Sequence, residues 1–222
     1  MSSSAEYLGL LLADGRLPVG AHTQSAGVEP AFQNGMTLDR LPDYLAVRLR
    51  TVTEVEAATA VMARQVWLDD STARVSLLVE VDRAWRVRTA SDALRDASDL
   101  LGRGYLRLGA RLWDLRALGG RTWCRPVVLG VLAAQAGLDP RQTARLVGFE
   151  DVQAAVAAAL KLKPFDPVQG VSWAVAAGAD VEAMVERVAG IATVEAIPAT
   201  AAPQLEHWAQ LHKHSERRLF RA

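Results

Sequence analysis

The sequence contains very little cysteine and few aromatic residues. One cysteine, Cys124, occurs among 222 residues, and only 6% of the residues are aromatic. A single thiol excludes an intrachain disulfide and any zinc site built from several cysteines. Because an unpaired thiol is typical of reducing compartments, and no secretory signal is visible, we expect a cytoplasmic location.

Long apolar runs and an excess of one charge are also missing. The apolar run at residues 8–13 is too short to cross a bilayer, and Glu6 precedes it. Lys and Arg together number 25, as do Asp and Glu, so the formal net charge is zero. Wholesale binding to nucleic acid or to an anionic membrane requires a concentrated positive surface. We therefore expect neither as a main partner.

Motifs for nucleotide binding and catalysis are absent as well. There is no glycine-rich loop ending in Gly-Lys-Ser/Thr, no Gly-x-Gly-x-x-Gly after a strand and no nucleophile elbow. Four histidines occur, and no two have the i, i+4 spacing that places ligands on one helix face: His22, His207, His212 and His214. We expect these imidazoles to face solvent or a partner, and Cys124 to be a buried, inert thiol. No catalytic residue and no metal ligand is predicted.

The patterns that are present are helical. Alanine, leucine, valine and arginine are abundant, and no strand-like alternation occurs. The sequence predicts an all-α fold: a single-domain multi-helix bundle with an irregular N-terminal loop and a flexible C-terminal tail. We expect residues 1–202 to form the helical domain, and residues 203–222 to form a C-terminal helix and a partner-binding tail.

Several helix boundaries are marked by capping residues. Ser91 is expected to cap a long amphipathic helix at residues 91–112. Asp139, with Pro140 and Gln142 after it, is typical of a capping box. A helix is also predicted at residues 25–34, ending before Gly35, and another is expected to be capped by Asp180.

One face of the helix at residues 91–112 carries charged residues at steps of four, and four of the five are basic. The line consists of Arg95, Asp99, Arg103, Arg107 and Arg111. We expect an ion pair between Asp99 and Arg103, while successive arginines repel one another. Such a face is most often solvated, but it could also meet an acidic group elsewhere in the fold or on another protein.

The N-terminal loop, residues 17–29, cannot be an ordinary amphipathic helix. Pro18 fixes a backbone angle, and Gly20 and Gly27 permit turns or close packing. Taken alone, this segment could be a structural turn or a binding loop.

Three segments together resemble the urease accessory protein F family. They are Leu17-Pro18-Val19-Gly20 with Gly27-Val28-Glu29, the stretch Leu160-Lys161-Leu162-Lys163-Pro164-Phe165, and the tail Glu216-Arg217-Arg218-Leu219-Phe220-Arg221-Ala222. They follow the order found in that family and span nearly the whole chain.

The resemblance implies a non-catalytic scaffold for nickel insertion into apo-urease. Members usually form a homodimer, bind the urease accessory protein D/H and recruit the nickel-carrying GTPase of the UreG type. Nickel would be handled by the complex, with no cofactor bound firmly by this chain. The loop residues Pro18, Gly20, Ser25, Gly27 and Glu29 would, with Lys161 and Pro164, shape the dimer or the GTPase-facing surface.

The tail would hold the D/H-type partner. Leu219 and Phe220 are expected to dock into a partner or a groove, surrounded by charged contacts from Arg217, Arg218 and Arg221. Glu216 is also expected to be a partner-binding residue. The chain departs from the family pattern at His22, Gln24 and Cys124. Two other functions stay open: a regulatory protein that binds nucleic acid through the arginine face, and an enzyme built on the histidines.

Overall fold

The computed structural model describes residues 4–69, 71–215 and 219–220. Within these residues the chain forms eleven α-helices and no β-strand, which confirms the predicted all-α class. The helices are α1 (Ala5–Leu12), α2 (Val28–Gln33), α3 (Leu41–Leu49), α4 (Val52–Leu68), α5 (Arg74–Arg88), α6 (Asp92–Leu112), α7 (Arg125–Gln135), α8 (Pro140–Leu162), α9 (Pro167–Ala176), α10 (Gly178–Val188) and α11 (Pro203–Lys213). Short 3₁₀ turns lie at Ala21–Thr23, Leu38–Arg40 and Arg116–Leu118.

Helix α7 lies at the centre because its sequence is apolar on every side. All residues from Pro126 to Ala134 are buried. α7 packs most extensively against α4, and α8 covers another side of α4. The α4–α7 crossing is close at Gly130, where an added Cβ would lie 2.2 Å from the carbonyl oxygen of Ala60. Glycine is therefore required there for the two backbones to approach.

Helix α6 packs on α7 and supports the N-terminal loop. Ser91 caps α6 as predicted, since its hydroxyl accepts a hydrogen bond from the Leu94 amide at 3.3 Å. A Cβ on Gly104 would lie 2.2 Å from the carbonyl oxygen of Val19, so the loop backbone lies directly on the helix. Arg107 Nη2 donates to the carbonyl oxygen of Pro18 at 3.0 Å.

The predicted helix boundaries are correct where a capping residue close in the sequence defines them. They are wrong where the expected capping residue or helix start is used by other contacts of the fold. The capping box at Asp139 and Gln142 is confirmed, with bonds of 2.7 and 2.8 Å. Helix α2 begins at Val28, three residues later than predicted, because residues 25–27 belong to the N-terminal loop. Asp180 does not cap α10; it lies in the first turn and pairs with Arg50 at 2.9 Å.

The expected pair between Asp99 and Arg103 is also absent. Asp99 instead accepts hydrogen bonds from Arg86 on α5, at 2.7 and 3.2 Å, and Arg86 is shared with Asp82. A partner on a neighbouring helix has replaced the one on the same helix.

None of the helices in the described residues combines the length and apolar character needed to cross a membrane.

Candidate partner-docking site

The N-terminal loop is held by two glycines in the left-handed region and by one tyrosine. Gly20 has φ of 88° and Gly27 has φ of 74°, values that side chains rarely adopt. Tyr44 on α3 donates its hydroxyl to the carbonyl oxygen of Ala26 at 2.8 Å. A Cβ on Gly27 would lie 2.6 Å from that hydroxyl oxygen. The loop therefore presents the start of α2 in one orientation.

Glu29, in the first turn of α2, binds the backbone of the C-terminal tail. The residue is only 4% exposed, although it carries a carboxylate. One carboxylate oxygen accepts the Leu219 amide at 2.7 Å and the other accepts the Phe220 amide at 2.8 Å. Hydrogen bonds to a charged acceptor are about twice as strong as neutral ones. Glu29 thus joins two segments that are 190 positions apart in the sequence.

His212 on α11 holds the same stretch of tail from the other side. Its Nε2 lies 3.2 Å from the carbonyl oxygen of Phe220 and 3.4 Å from a carboxylate oxygen of Glu29. Because the carbonyl can only accept, Nε2 carries the proton and donates. His212 is 1% exposed, so the expectation of a solvent-facing or partner-facing imidazole is wrong for this histidine.

The side chain of Phe220 is buried against the chain itself, and that of Leu219 points outward. Phe220 is 4% exposed, and the ammonium of Lys161 lies 5.5 Å from the centre of its ring. Lys163 is placed similarly over Phe32 of α2, at 4.5 Å. Leu219 remains 66% exposed. Part of the tail therefore occupies a groove on this chain while leaving an apolar side chain at the surface.

The structure brings together some of the predicted site residues and separates others. Glu29, Lys161, Leu219 and Phe220 meet at the tail-docking site, formed by α2, the C-terminal end of α8 and α11. Pro18 instead contacts α6 through Arg107, and nothing lies within 4 Å of a Cβ placed on Gly20.

Of the remaining predicted residues, three lie within the described part of the chain and four lie outside it. Ser25 and Gly27 are inside the loop, and Pro164 is exposed at the end of α8. Glu216, Arg217, Arg218 and Arg221 lie outside the described residues.

Two residues of the tail-docking site were not predicted as site residues. The spacing of His212 to the other histidines is unsuitable for a metal site, and Lys163 lies within a matching segment but is not among the predicted residues. The available sequence signal for His212 is its spacing, since Trp208 and His212 lie three and seven residues after Leu205, which places the histidine on the apolar face of this short helix.

A cavity of about 520 Å³ extends beneath the N-terminal loop and contains a network of buried charges. Arg48 forms a two-pronged pair with Asp151, at 2.9 and 2.5 Å. Burial opposes ionisation of Asp151, but the charge and hydrogen bonds of Arg48 outweigh it and lower the pKa of this carboxyl. Burial raises the pKa of Glu150, which accepts a hydrogen bond from Tyr105 at 2.5 Å.

This network offers no nucleophile next to a base. Burial raises the pKa of Tyr105 well above its ordinary value, and the neighbouring Glu150 charge adds to the effect. Cys124 is completely buried as predicted, and burial also raises the pKa of its thiol. A protonated, inaccessible thiol is a poor nucleophile. The network instead links four helices, because Arg48 on α3 pairs with Asp151 on α8, and Tyr105 on α6 and Arg125 on α7 both contact Glu150 on α8.

The histidines do not converge. His22, His207 and His214 are exposed, and His212 is committed to the tail. Across residues 4–69, 71–215 and 219–220, no group of three or more histidine, cysteine or acidic side chains could hold a metal ion.

Comparison with known proteins agrees with the resemblance in the three segments. A model of the UreF family matches residues 37–178, which is more than half of the chain. The chain belongs to the UreF family.

Relatives named urease accessory protein UreF extend the match over nearly the full length. One from Mycobacterium sp. (strain JLS) is 37% identical over 219 residues, covering 95% of this chain and 96% of the relative. One from Mycolicibacterium vanbaalenii is 34% identical and covers 99% of both chains. One from Mycobacterium marinum is 33% identical and covers 95% of this chain and 96% of the relative. The UreF match therefore includes the N-terminal loop and the tail as well as the helices between them.

Proposed function

We propose that this UreF family member is a non-catalytic scaffold for urease maturation. It forms a homodimer in the cytoplasm, binds the D/H-type accessory protein, and recruits and regulates the nickel-carrying GTPase for insertion of nickel into apo-urease. It binds no cofactor firmly, because nickel is handled by the assembled complex. Partner contact is made through the tail-docking site and the N-terminal loop beside it.

The observation that carries this proposal is the joining of the tail to Glu29. The three segments that resemble the family are distant in sequence, yet one residue from each meets at the tail-docking site: Glu29, Lys161 and Phe220. A buried carboxylate whose two oxygens each accept a main-chain amide serves to hold a chain segment in place. The held segment presents Leu219, 66% exposed, beside α11.

The composition of the site also supports protein binding over catalysis. An exposed leucine next to a buried phenylalanine and flanking cations is typical of the apolar centre and charged rim of a protein interface. In the D/H-type complex, Leu219 would be covered by the partner, and the arginines of the tail would lie around it.

A mixing experiment tests the proposal. The purified chain is combined with the cognate D/H-type protein and GTPase, and the molar mass of the mixture is measured by light scattering coupled to size exclusion. We expect a stable assembly containing two copies of this chain. Deletion of residues 216–222, or Glu29→Ala, should reduce the assembled fraction at least about tenfold, since each removes a central contact.

Glu80→Ala is the matched control. Glu80 is exposed on α5 and makes no hydrogen bond or ion pair among the described residues, so its loss should leave assembly unchanged. Full assembly of the tail-deleted chain, or substrate turnover by the isolated wild-type chain, would contradict the proposal.

A further inference from the structure

The outer face of α6 carries arginines that have no acidic partner in the described chain. Arg103, Arg107 and Arg111 are all exposed. Arg103 and Arg111 make no ion pair or hydrogen bond with any described residue, and Arg107 contacts only the Pro18 carbonyl oxygen. Asp99, the acid one turn away, is occupied by Arg86. The repulsion between successive arginines is thus not compensated within the described fold.

A groove of about 550 Å³ lies beside these arginines. One wall is α6, and the other is the segment that follows it. The lining residues are Arg103, Leu106, Arg107, Ala110, Trp113, Asp114, Leu115, Arg116 and Gly119. Most of the exposed lining is apolar, and the arginines lie at the rim.

The groove is preformed by local structure. The chain leaves α6 at Trp113, whose amide still donates to the Gly109 carbonyl oxygen at 2.8 Å while its backbone is extended. It then returns through the 3₁₀ turn Arg116–Leu118. That turn is anchored because Leu118 is fully buried and accepts a hydrogen bond from the Trp123 indole at 3.0 Å.

The charge at the rim is unequal on its two sides. On the side formed by the segment after α6, Asp114 forms an ion pair with Arg116 at 2.5 Å. Arg103 and Arg107 on the helix side have no such partner, so an occupant that supplies acidic groups there gains two new pairs. A guanidinium fork suits a carboxylate, which it can bind with two parallel hydrogen bonds.

We propose that this groove binds an acidic segment of a partner protein. A bulky apolar side chain of the segment packs on Leu106 and Trp113, and aspartates or glutamates beside it pair with Arg103 and Arg107. The apolar lining favours this occupant over nucleic acid, because phosphate backbones need a broad positive surface and the chain has a formal net charge of zero. The groove shares no described residue with the tail-docking site, and Arg103 makes no hydrogen bond with the N-terminal loop as described, whereas Arg107 donates to the Pro18 carbonyl oxygen. Arg103→Glu alone therefore tests the groove without disturbing either of the other two surfaces.

Fluorescence anisotropy with a defined probe tests the groove. The probe is a fluorescein-labelled peptide with two leucines one helical turn apart and glutamates at the other exposed positions, titrated with the full-length chain. Arg103→Glu combined with Arg107→Glu should weaken binding by about tenfold or more, because attractive pairs become repulsive. Replacing the peptide's leucines by alanine should also weaken it.

The control variant combines Arg40→Glu with Arg83→Glu. It changes the net charge equally at two exposed arginines that lie outside the groove, and it should bind the probe within about twofold of wild type. Circular dichroism checks folding, and Arg103→Glu alone serves if the double variant is unfolded.

Four results would overturn the proposal. The first is that the wild-type chain does not bind the probe, and the second is that both double variants lose probe affinity equally. The third is that a single-stranded DNA oligonucleotide of the same charge binds more tightly than the peptide. The fourth is that the wild-type chain is a dimer in sedimentation velocity and the groove variant is a monomer. The third result would identify nucleic acid as the occupant, and the fourth would identify a second copy of the chain.

Discussion

Glu29 shows how a single buried carboxylate can replace a missing secondary-structure partner. The amides of Leu219 and Phe220 lie outside any helix, and buried amides must be paired. Both are paired by the two oxygens of one side chain. Glutamine at this position would keep only one acceptor and would turn an amino group toward the other amide.

We predict that Glu29→Gln frees the tail. Hydrogen bonds to charged groups contribute about 1.5–3 kcal/mol, so the amides of Leu219 and Phe220 should exchange with solvent roughly tenfold to a hundredfold faster. Amide hydrogen exchange followed by mass spectrometry of the C-terminal peptide measures this directly. Glu80→Gln is the control, and equal protection in Glu29→Gln would show that the carboxylate does not hold the tail.

The Arg48–Asp151 pair is buried, and its contribution to the stability of the fold depends on pH. The side chains of Arg48 and Asp151 are only 11% and 6% exposed. Since the folded state lowers the pKa of Asp151, the pair stabilises the fold fully above about pH 4, the ordinary range of an unfolded aspartate. That contribution is lost as the pH falls through the lower, folded-state pKa.

Asp151→Asn should therefore cost about 3–5 kcal/mol at neutral pH, because it leaves the Arg48 charge buried and unpaired. The gap in free energy of unfolding between wild type and variant should narrow as the pH falls to about 3. Urea titrations of both proteins between neutral pH and about pH 3 measure this gap. Asp180→Asn should cost no more than about 1 kcal/mol, because its partner Arg50 is 67% exposed. A gap that widens on acidification would refute the assignment.

At the scale of elements, the α4–α7 crossing depends on backbone approach. We predict that Gly130→Ala destabilises the fold by about 1–3 kcal/mol or more, because its Cβ would meet backbone that cannot move aside cheaply. Gly178→Ala, at the start of α10 where nothing lies within 4 Å, should be neutral or stabilising by up to about 1 kcal/mol. Thermal unfolding of both variants separates the two cases, and equal melting temperatures would count against the close crossing.

The helices themselves could be predicted from the sequence because their signals are local. The caps at Ser91 and Asp139 and the apolar character of α7 depend on residues within one or two turns. Two of the misplaced features, at Asp180 and Asp99, involve distant partners. Asp180 pairs with Arg50, which follows α3, and Asp99 pairs with Arg86 on α5. The sequence predicts a partner on the same helix for each, whereas the folded chain offers one from another part of the fold.

The tail-docking site was only partly predictable for the same reason. Glu29, Lys161 and Phe220 could be singled out by resemblance, but their meeting depends on how α2, α8 and α11 pack. No local pattern shows that His212 reaches the Phe220 carbonyl oxygen, eight residues further along the chain.

At the scale of the whole molecule, the described residues form a helical body with two separate candidate surfaces. The tail-docking site lies at α2, α8 and α11, and the arginine-rimmed groove lies along α6. The proposed scaffold role needs more than one such surface, since a scaffold must hold one partner while another is recruited.

The nickel content of urease from the native host tests the central claim most directly. Urease is purified from strains that carry the wild-type gene, no copy of it, or a copy encoding Glu29→Ala with deletion of residues 216–222, and its nickel is measured by mass spectrometry. We predict a full metal complement with the wild-type gene and a deficit in the other two strains. A full complement in the strain without this protein would contradict the account.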